Sequence, residues 1–163
     1  MSTIDGKDIK ILKILSSDSR ISLRKLSKRI SLSITSVINR VEKLENSGII
    51  KKYTLELEPT KLGFLLPVVI DIRVSKGRLR EVEEAIARYP NVVAVYDITG
   101  DYDVSAIALF RDRFELDRFI KEVQRLKYVE RTYTKMILNI IKEDKNSILE
   151  ALNKDLTSEK TQL

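Results

Sequence analysis

An α+β chain in two parts is predicted. A three-helix N-terminal domain ends in a helix-turn-helix, a hinge strand follows, and a split βαββαβ domain of ferredoxin-like topology completes the fold. Three observations carry this. Apolar residues recur at helical spacing from residue 4 to 44, then alternate with period two from Tyr53. Beyond residue 64 the pattern runs strand, helix, strand, strand, helix, strand. The net charge of +6 is confined to one part: residues 1–63 hold 13 Lys/Arg against 7 Asp/Glu, whereas residues 64–163 hold 17 of each.

Asp5 is placed to cap the first helix, and Asp8 in its first turn suits the positive end of the helix dipole. Ile4, Ile11, Leu12 and Leu15 form its buried stripe, while Ile9 and Ile14 lie outside that stripe and are expected to face another subunit. Residues 16–20 read as a polar loop. Ser22 caps a second helix with Leu23, Leu26 and Ile30 at i, i+3, i+7. Ser33 caps a third, whose stripe is Ile34, Val37, Ile38, Val41 and Leu44. Asn46-Ser47-Gly48 stops it, because Gly takes the left-handed conformation without strain.

With that stripe buried, Thr35, Ser36, Asn39, Arg40 and Lys43 point outward from the third helix. Short polar side chains let a helix approach base edges, and Arg and Lys suit guanine or phosphate. Arg40, Asn39, Ser36 and Thr35 are the expected base or backbone readers, with Ser33 at the helix start; Lys43 and Arg29 are the expected phosphate contacts. The rival reading is a plain amphipathic hairpin. The localised positive charge favours a polyanion partner, double-stranded DNA above all.

Residues 51–63 are expected to form the hinge. Tyr53, Leu55 and Leu57 alternate with Thr54, Glu56 and Glu58 as in a half-buried strand, and Pro59 ends it. Residues 67–75 form the next strand, with Val68, Ile70, Ile72 and Val74 on one face. A helix over 78–89, strands over 92–98 and 104–110, a helix over 113–126 and a long strand over 129–141 follow. The domains are therefore 1–50, the hinge 51–63, 64–142, and 143–163. Both helices should cover one sheet face. Val69 and Val93 make the other too apolar for water, so a second subunit is expected there. A last amphipathic helix over 146–156 carries Ile148, Leu149, Leu152 and Leu156, and residues 157–163 are expected to be disordered.

Composition excludes much. The chain has no Cys and no His, which removes disulfides, thiolate chemistry, and the commonest general base and metal ligand. No apolar run reaches bilayer-spanning length and no signal peptide is visible, so the cytoplasm is the expected compartment. The densest acidic stretch of the second half is 97–103. It fails as a calcium loop, since a loop counted from Asp97 would put Tyr102 where Gly is needed and Ala108 where Glu is needed. Paired catalysis by Asp101 and Asp103 lacks a nearby nucleophile. A tight hairpin bent at Gly100 remains open, as does a small-molecule site. There, carboxylates would hold an ammonium while Thr132 and Thr134, two apart on one strand, offer hydroxyls to a carboxylate.

Ile4-Asp5, Ile11-Leu12 and Leu15, Arg20-Ile21-Ser22, Leu26, Lys28-Arg29, Leu32-Ser33, Arg40-Val41, Leu44-Glu45 and Gly48-Ile49-Ile50 resemble the DNA-binding domain of the Lrp/AsnC regulators. Tyr53, Pro59, Leu62-Gly63, the run from Gly100 to Asp103, and Thr132 with Thr134 resemble that family's hinge and effector domain. The resemblance spans about residues 4–142. It implies a homodimer assembling into tetramers or octamers, DNA along the helix-turn-helix pairs, no enzymatic activity and no metal or other cofactor. It also implies an amino-acid effector held by Asp97, Gly100, Asp101, Asp103, Thr132 and Thr134. The polar loop tilts that expectation towards a polar amino acid such as glutamine. An effector-independent architectural DNA-binding protein is the alternative. Ser31 and Ser27 stand where the family usually has Gly and Ala.

Overall fold

The computed structural model describes residues 4–75 and 77–159, with side chains to residue 154. Its elements are α1 (Gly6–Ser17), α2 (Leu23–Ile30), α3 (Ile34–Asn46), β1 (Leu66–Val74), α4 (Leu79–Ala87), β2 (Val92–Asp97), β3 (Val104–Phe110), α5 (Arg113–Arg125), β4 (Val129–Met136) and α6 (Ile148–Glu159). They divide into two compact units. One combines residues 1–56 with 142–163, and the other is 57–141.

In the first unit each helix start is capped as its sequence demands. Asp5 Oδ1 accepts from the backbone N–H groups of Lys7 and Asp8 at 2.8 and 2.9 Å, and Asp8 Oδ2 accepts from the Asp5 N–H at 3.1 Å, closing a reciprocal box. Ser22 Oγ accepts from the Lys25 N–H and Ser33 Oγ from the Ser36 N–H. The α2–α3 turn needs a left-handed residue, and Ser31 supplies it at φ 54°, ψ 49°. Ser27 is buried, with its hydroxyl donated to the Arg24 carbonyl at 2.9 Å. Ile11, Leu12, Leu15, Leu26, Val37, Val41 and Leu44 form the core, each fully buried aliphatic contributing about 1.5–3 kcal/mol. Leu23 and Ile34 are exposed at the edges of their stripes.

The sheet of the second unit has order β2-β3-β1-β4, all pairs antiparallel. Val68, Ile70, Ile72 and Val74 share one face with Val104, Ala106, Ala108 and Phe110, packed with Val82 and Ile86 of α4 and Phe119 and Val123 of α5. Pairing places Val69, Asp71, Arg73, Ser105, Ile107, Arg131, Tyr133 and Lys135 on the other face. Asp71 is buried there, accepting from Ser105 Oγ at 2.7 Å and Lys135 Nζ at 2.5 Å. Val93 lies at a β2 bulge and is 57 % exposed.

The hinge strand expected within 51–63 would pair with its counterpart in a second subunit; within the chain, residues 51–58 pair with no strand among the described residues, and Tyr53, Leu55 and Leu57 are exposed. Tyr53 is tied to Glu45, Oη donating to Oε1 at 2.8 Å, and partial burial with this bond pushes the phenol up to about 12. Three expectations are corrected. Ile9, expected to face another subunit, is fully buried within the chain, and Ile14 packs on the first unit's core. β4 stops at Met136, paired with Val68, since β1 has nearly run out; a last bond joins the Ile137 N–H to the Pro67 carbonyl. α6 starts two residues later than predicted and continues to Glu159, into the expected disorder. Residues 160–163 and the side chain of Leu156 lie outside the described residues.

Candidate nucleic-acid interface and effector loop

Capping by Ser33 and burial of Val37, Val41 and Leu44 fix the rotation of α3 about its axis. Ser33, Thr35, Ser36, Asn39, Arg40 and Lys43 consequently line one open concavity, together with Asp5. Thr35, Asn39 and Lys43 are exposed, and Arg29 is exposed in the last turn of α2, outside the concavity. The row predicted from spacing is thus one continuous polar surface.

Arg40 departs from the expectation of a free reading side chain. Its Nη1 donates to Asp8 Oδ1 at 2.6 Å and to Asp5 Oδ2 at 2.8 Å, and the side chain is only 27 % exposed. The hydrogen bonds it donates to Asp8 and Asp5 raise the guanidinium further above its ordinary value. Burial pushes the Asp5 carboxyl up, but the Asp8 N–H, Arg40 and the Lys7 N–H outweigh it and hold the carboxyl below its ordinary value. Arg40 therefore fastens α3 to the capped start of α1. Spacing alone places Arg40 among the outward residues; the matching carboxylates 32 and 35 positions away carry no local signal.

In the second unit the 98–103 turn is a hairpin connection closed by the Ile98 N–H to the Asp103 carbonyl, with Gly100 at φ 123°. It leans across the sheet end. Asp103 Oδ2 accepts from the Val74 N–H at 2.8 Å, and the Asp101 carbonyl accepts from Arg73 Nη1 at 3.1 Å. Tyr102 stacks on Tyr133 with ring centroids 6.2 Å apart and accepts from Arg131 Nη2 at 2.6 Å.

The predicted effector residues are only partly gathered. Asp97, Val104, Ile72 and Thr132 form one cross-sheet row. Asp97 and Thr132 thus lie on opposite edges, three strand spacings or about 14 Å apart. Thr132 and Thr134 do share a face, as expected, but it is the helix-covered face, where Thr132 Oγ1 accepts from Gln124 Nε2 at 3.0 Å. Arg131 and Tyr133 alternate onto the open face and meet the loop there. Sequence reasoning missed Arg73 and Arg131; knowing the β1–β4 register would have found them, and register is a tertiary property.

Comparison with known proteins follows the same division. Residues 67–147 match the Lrp/AsnC ligand binding domain, and residues 4–51 match a winged helix-turn-helix DNA-binding domain. An uncharacterized HTH-type transcriptional regulator of Pyrococcus furiosus is 43 % identical over 141 residues, spanning 86 % of this chain and 95 % of that protein. The HTH-type transcriptional regulator FL11 of the same organism is 36 % identical over 140 residues, spanning 86 % and 93 %. Among solved structures, a Neisseria meningitidis transcriptional regulator in complex with L-Met superposes at TM-score 0.86 with 28 % identity, covering 92 % of this chain and 99 % of that one. Bacillus subtilis LrpC superposes at 0.80 with 31 % identity, covering 87 % and 99 %. Fold order, capped reading helix and both domain matches agree: the chain belongs to the Lrp/AsnC family of helix-turn-helix transcriptional regulators.

Proposed function

We propose that this regulator reads duplex DNA with the α3 face and that an amino acid alters its DNA affinity or its assembly. The observation that carries the reading is the single concavity lined by Ser33, Thr35, Ser36, Asn39 and Lys43 in the half of the chain that holds all the net positive charge. Thr35, Ser36 and Asn39 offer donors and acceptors to base edges. Lys43 and Arg29 neutralise phosphate. Arg40 positions α3 through Asp5 and Asp8 and is not a free reader in this arrangement.

An amino acid is the effector class that the acidic loop fits. Asp101 suits an ammonium, Arg73 and Arg131 suit a carboxylate, and Asp103 shapes the turn, whereas Asp97, paired with Val104, lies with Thr132 on the helix-covered face. The L-Met complex of the Neisseria regulator supports this class; the identity of the effector, glutamine included, is left to experiment. Val69, Ile107 and Tyr133 on the open sheet face and the exposed Tyr53, Leu55 and Leu57 support a homodimer that assembles further into tetramers or octamers, and the cytoplasm is the compartment expected of such a regulator. Regulation then requires that the amino acid bind two assembly states with different affinity.

The test is a thermal-shift screen of the full chain against the twenty amino acids, followed by DNA titration with and without any hit. A ligand at about 100 times its dissociation constant stabilises the binding state by about 2.7 kcal/mol. A selective hit that changes DNA affinity supports the reading. No response at millimolar concentration overturns the amino-acid part and favours an effector-independent architectural protein.

A further inference from the structure

α6 lies past residue 147, where the match to the Lrp/AsnC ligand binding domain ends, yet it belongs to the compact unit that contains α1–α3. Three features seat it there. Leu149 packs on the cluster of Ile11, Leu12, Leu15, Leu26, Val37, Val41 and Leu44. Glu150 Oε1 lies 2.8 Å from Lys13 Nζ on α1. The approach is built as a tight turn, in which Asp144 accepts from the Asn146 N–H and the Ser147 hydroxyl, both at 2.8 Å. A tail with no task would not combine an apolar anchor, an ion pair and a capped entry on one surface.

We propose that α6 is a retaining strap for the DNA-binding unit. It closes the back of α1, while the capped front of α1 holds Arg40 and through it the reading helix. The unit is therefore tied to the effector domain by two covalent links, at 56–57 and 141–142. α1 contacts both the strap and α3, and Leu149 packs on a cluster that includes Val37, Val41 and Leu44 of α3, so loosening the strap loosens the support of the reading helix. This inference rests on the helix-turn-helix and not on any effector.

The test uses the full chain. A water-soluble carbodiimide joins only a lysine and a carboxylate already in contact, so it should couple Lys13 to Glu150. Mass spectrometry of a mixture of isotopically light and heavy protein then distinguishes adducts within a chain from those between chains. In parallel, Leu149→Asp should speed amide hydrogen exchange in α1 by about tenfold while leaving β1–β4 unchanged, since it removes one partly buried apolar anchor. If that variant unfolds globally, charge reversal replaces it. Lys13→Glu or Glu150→Lys alone should speed α1 exchange about threefold, and the double variant should restore it. An intrachain adduct with α1-selective exchange supports the strap. An adduct between chains only, no adduct, or unchanged α1 exchange overturns it.

Discussion

Arg40 Nη1 sits 2.6 Å from Asp8 Oδ1, joining the reading helix to a carboxylate whose side chain is 3 % exposed. Asp8 also accepts the Asp5 N–H. Removing the arginine strands a buried charge that has one remaining hydrogen bond. Arg40→Ala should lower the unfolding free energy by about 2–3 kcal/mol. Urea denaturation followed by circular dichroism measures it. The same change to the exposed Asn39 or Lys43 should move stability by no more than about 0.5 kcal/mol. Equal stability losses at all three positions would remove Arg40 from its positioning role.

Lys43 and Asn39 should separate in DNA titrations. Lys43→Ala should weaken binding to every duplex alike and reduce the slope of log affinity against log salt by about 1, the signature of one lost phosphate contact. Asn39→Ala should instead erase discrimination at one base pair, worth about 1–3 kcal/mol. Identical behaviour of the two variants would contradict the division into readers and phosphate contacts.

Asp5 sets an acid limit on the first unit. Its carboxyl is held below its ordinary value of 3.8 in the folded chain, so the folded state favours the charged form. That contribution is fully present above 3.8 and is lost as pH falls through the lowered folded value. Between pH 5 and 8 it should be flat. Asp5→Asn should be less stable than the parent at neutral pH, and the gap should narrow below the ordinary carboxylate range. Acid titration of the two unfolding midpoints reads this directly.

Ser31 holds φ 54°, a conformation that costs an L side chain about 1–2 kcal/mol. Ser31→Gly should release part of that strain and give up part to the greater freedom of the unfolded chain. A net gain of about 0.5–1 kcal/mol is expected. A loss on thermal denaturation would mean that the serine side chain contributes more than its backbone costs.

Asp101 and Asp103 should respond differently. Asp103 accepts the Val74 N–H at 2.8 Å, so Asp103→Ala should cost about 1–3 kcal/mol of stability whether or not ligand is present. Asp101 meets Arg73 through its carbonyl, which an alanine retains. Asp101→Ala should therefore keep the parent melting temperature and lose only the stabilisation produced by the effector. A variant of Asp101 that retains the full ligand shift would take its side chain out of the site.

Local chemistry made most of this readable in advance. Asp5, Ser22 and Ser33 announce helix starts because a cap is a contact over two or three residues. The alternation of Val68, Ile70, Ile72 and Val74 announces a half-buried strand for the same reason. What escaped depends on partners distant in the chain. Arg40 looks like a free cation until Asp5 and Asp8 are seen beside it. Thr132 and Thr134 share a face by spacing, but whether that face meets the 97–103 loop is decided by β1–β4 pairing. Tyr53, Leu55 and Leu57 have the alternation of a strand whose counterpart would lie in a second subunit. The long fourth strand failed because alternation cannot show where its neighbour ends.

The discontinuity of the first unit has a consequence for the order in which the chain is made. Domains usually fold as they emerge during synthesis, N-terminal first. Here Leu149 and Glu150, which seat on α1, are translated only after all four strands of the second unit. A nascent chain can form α1–α3 early but cannot finish their unit until the effector domain has left the ribosome. Biogenesis itself thus delays a fully braced helix-turn-helix unit until the ligand-binding domain already exists.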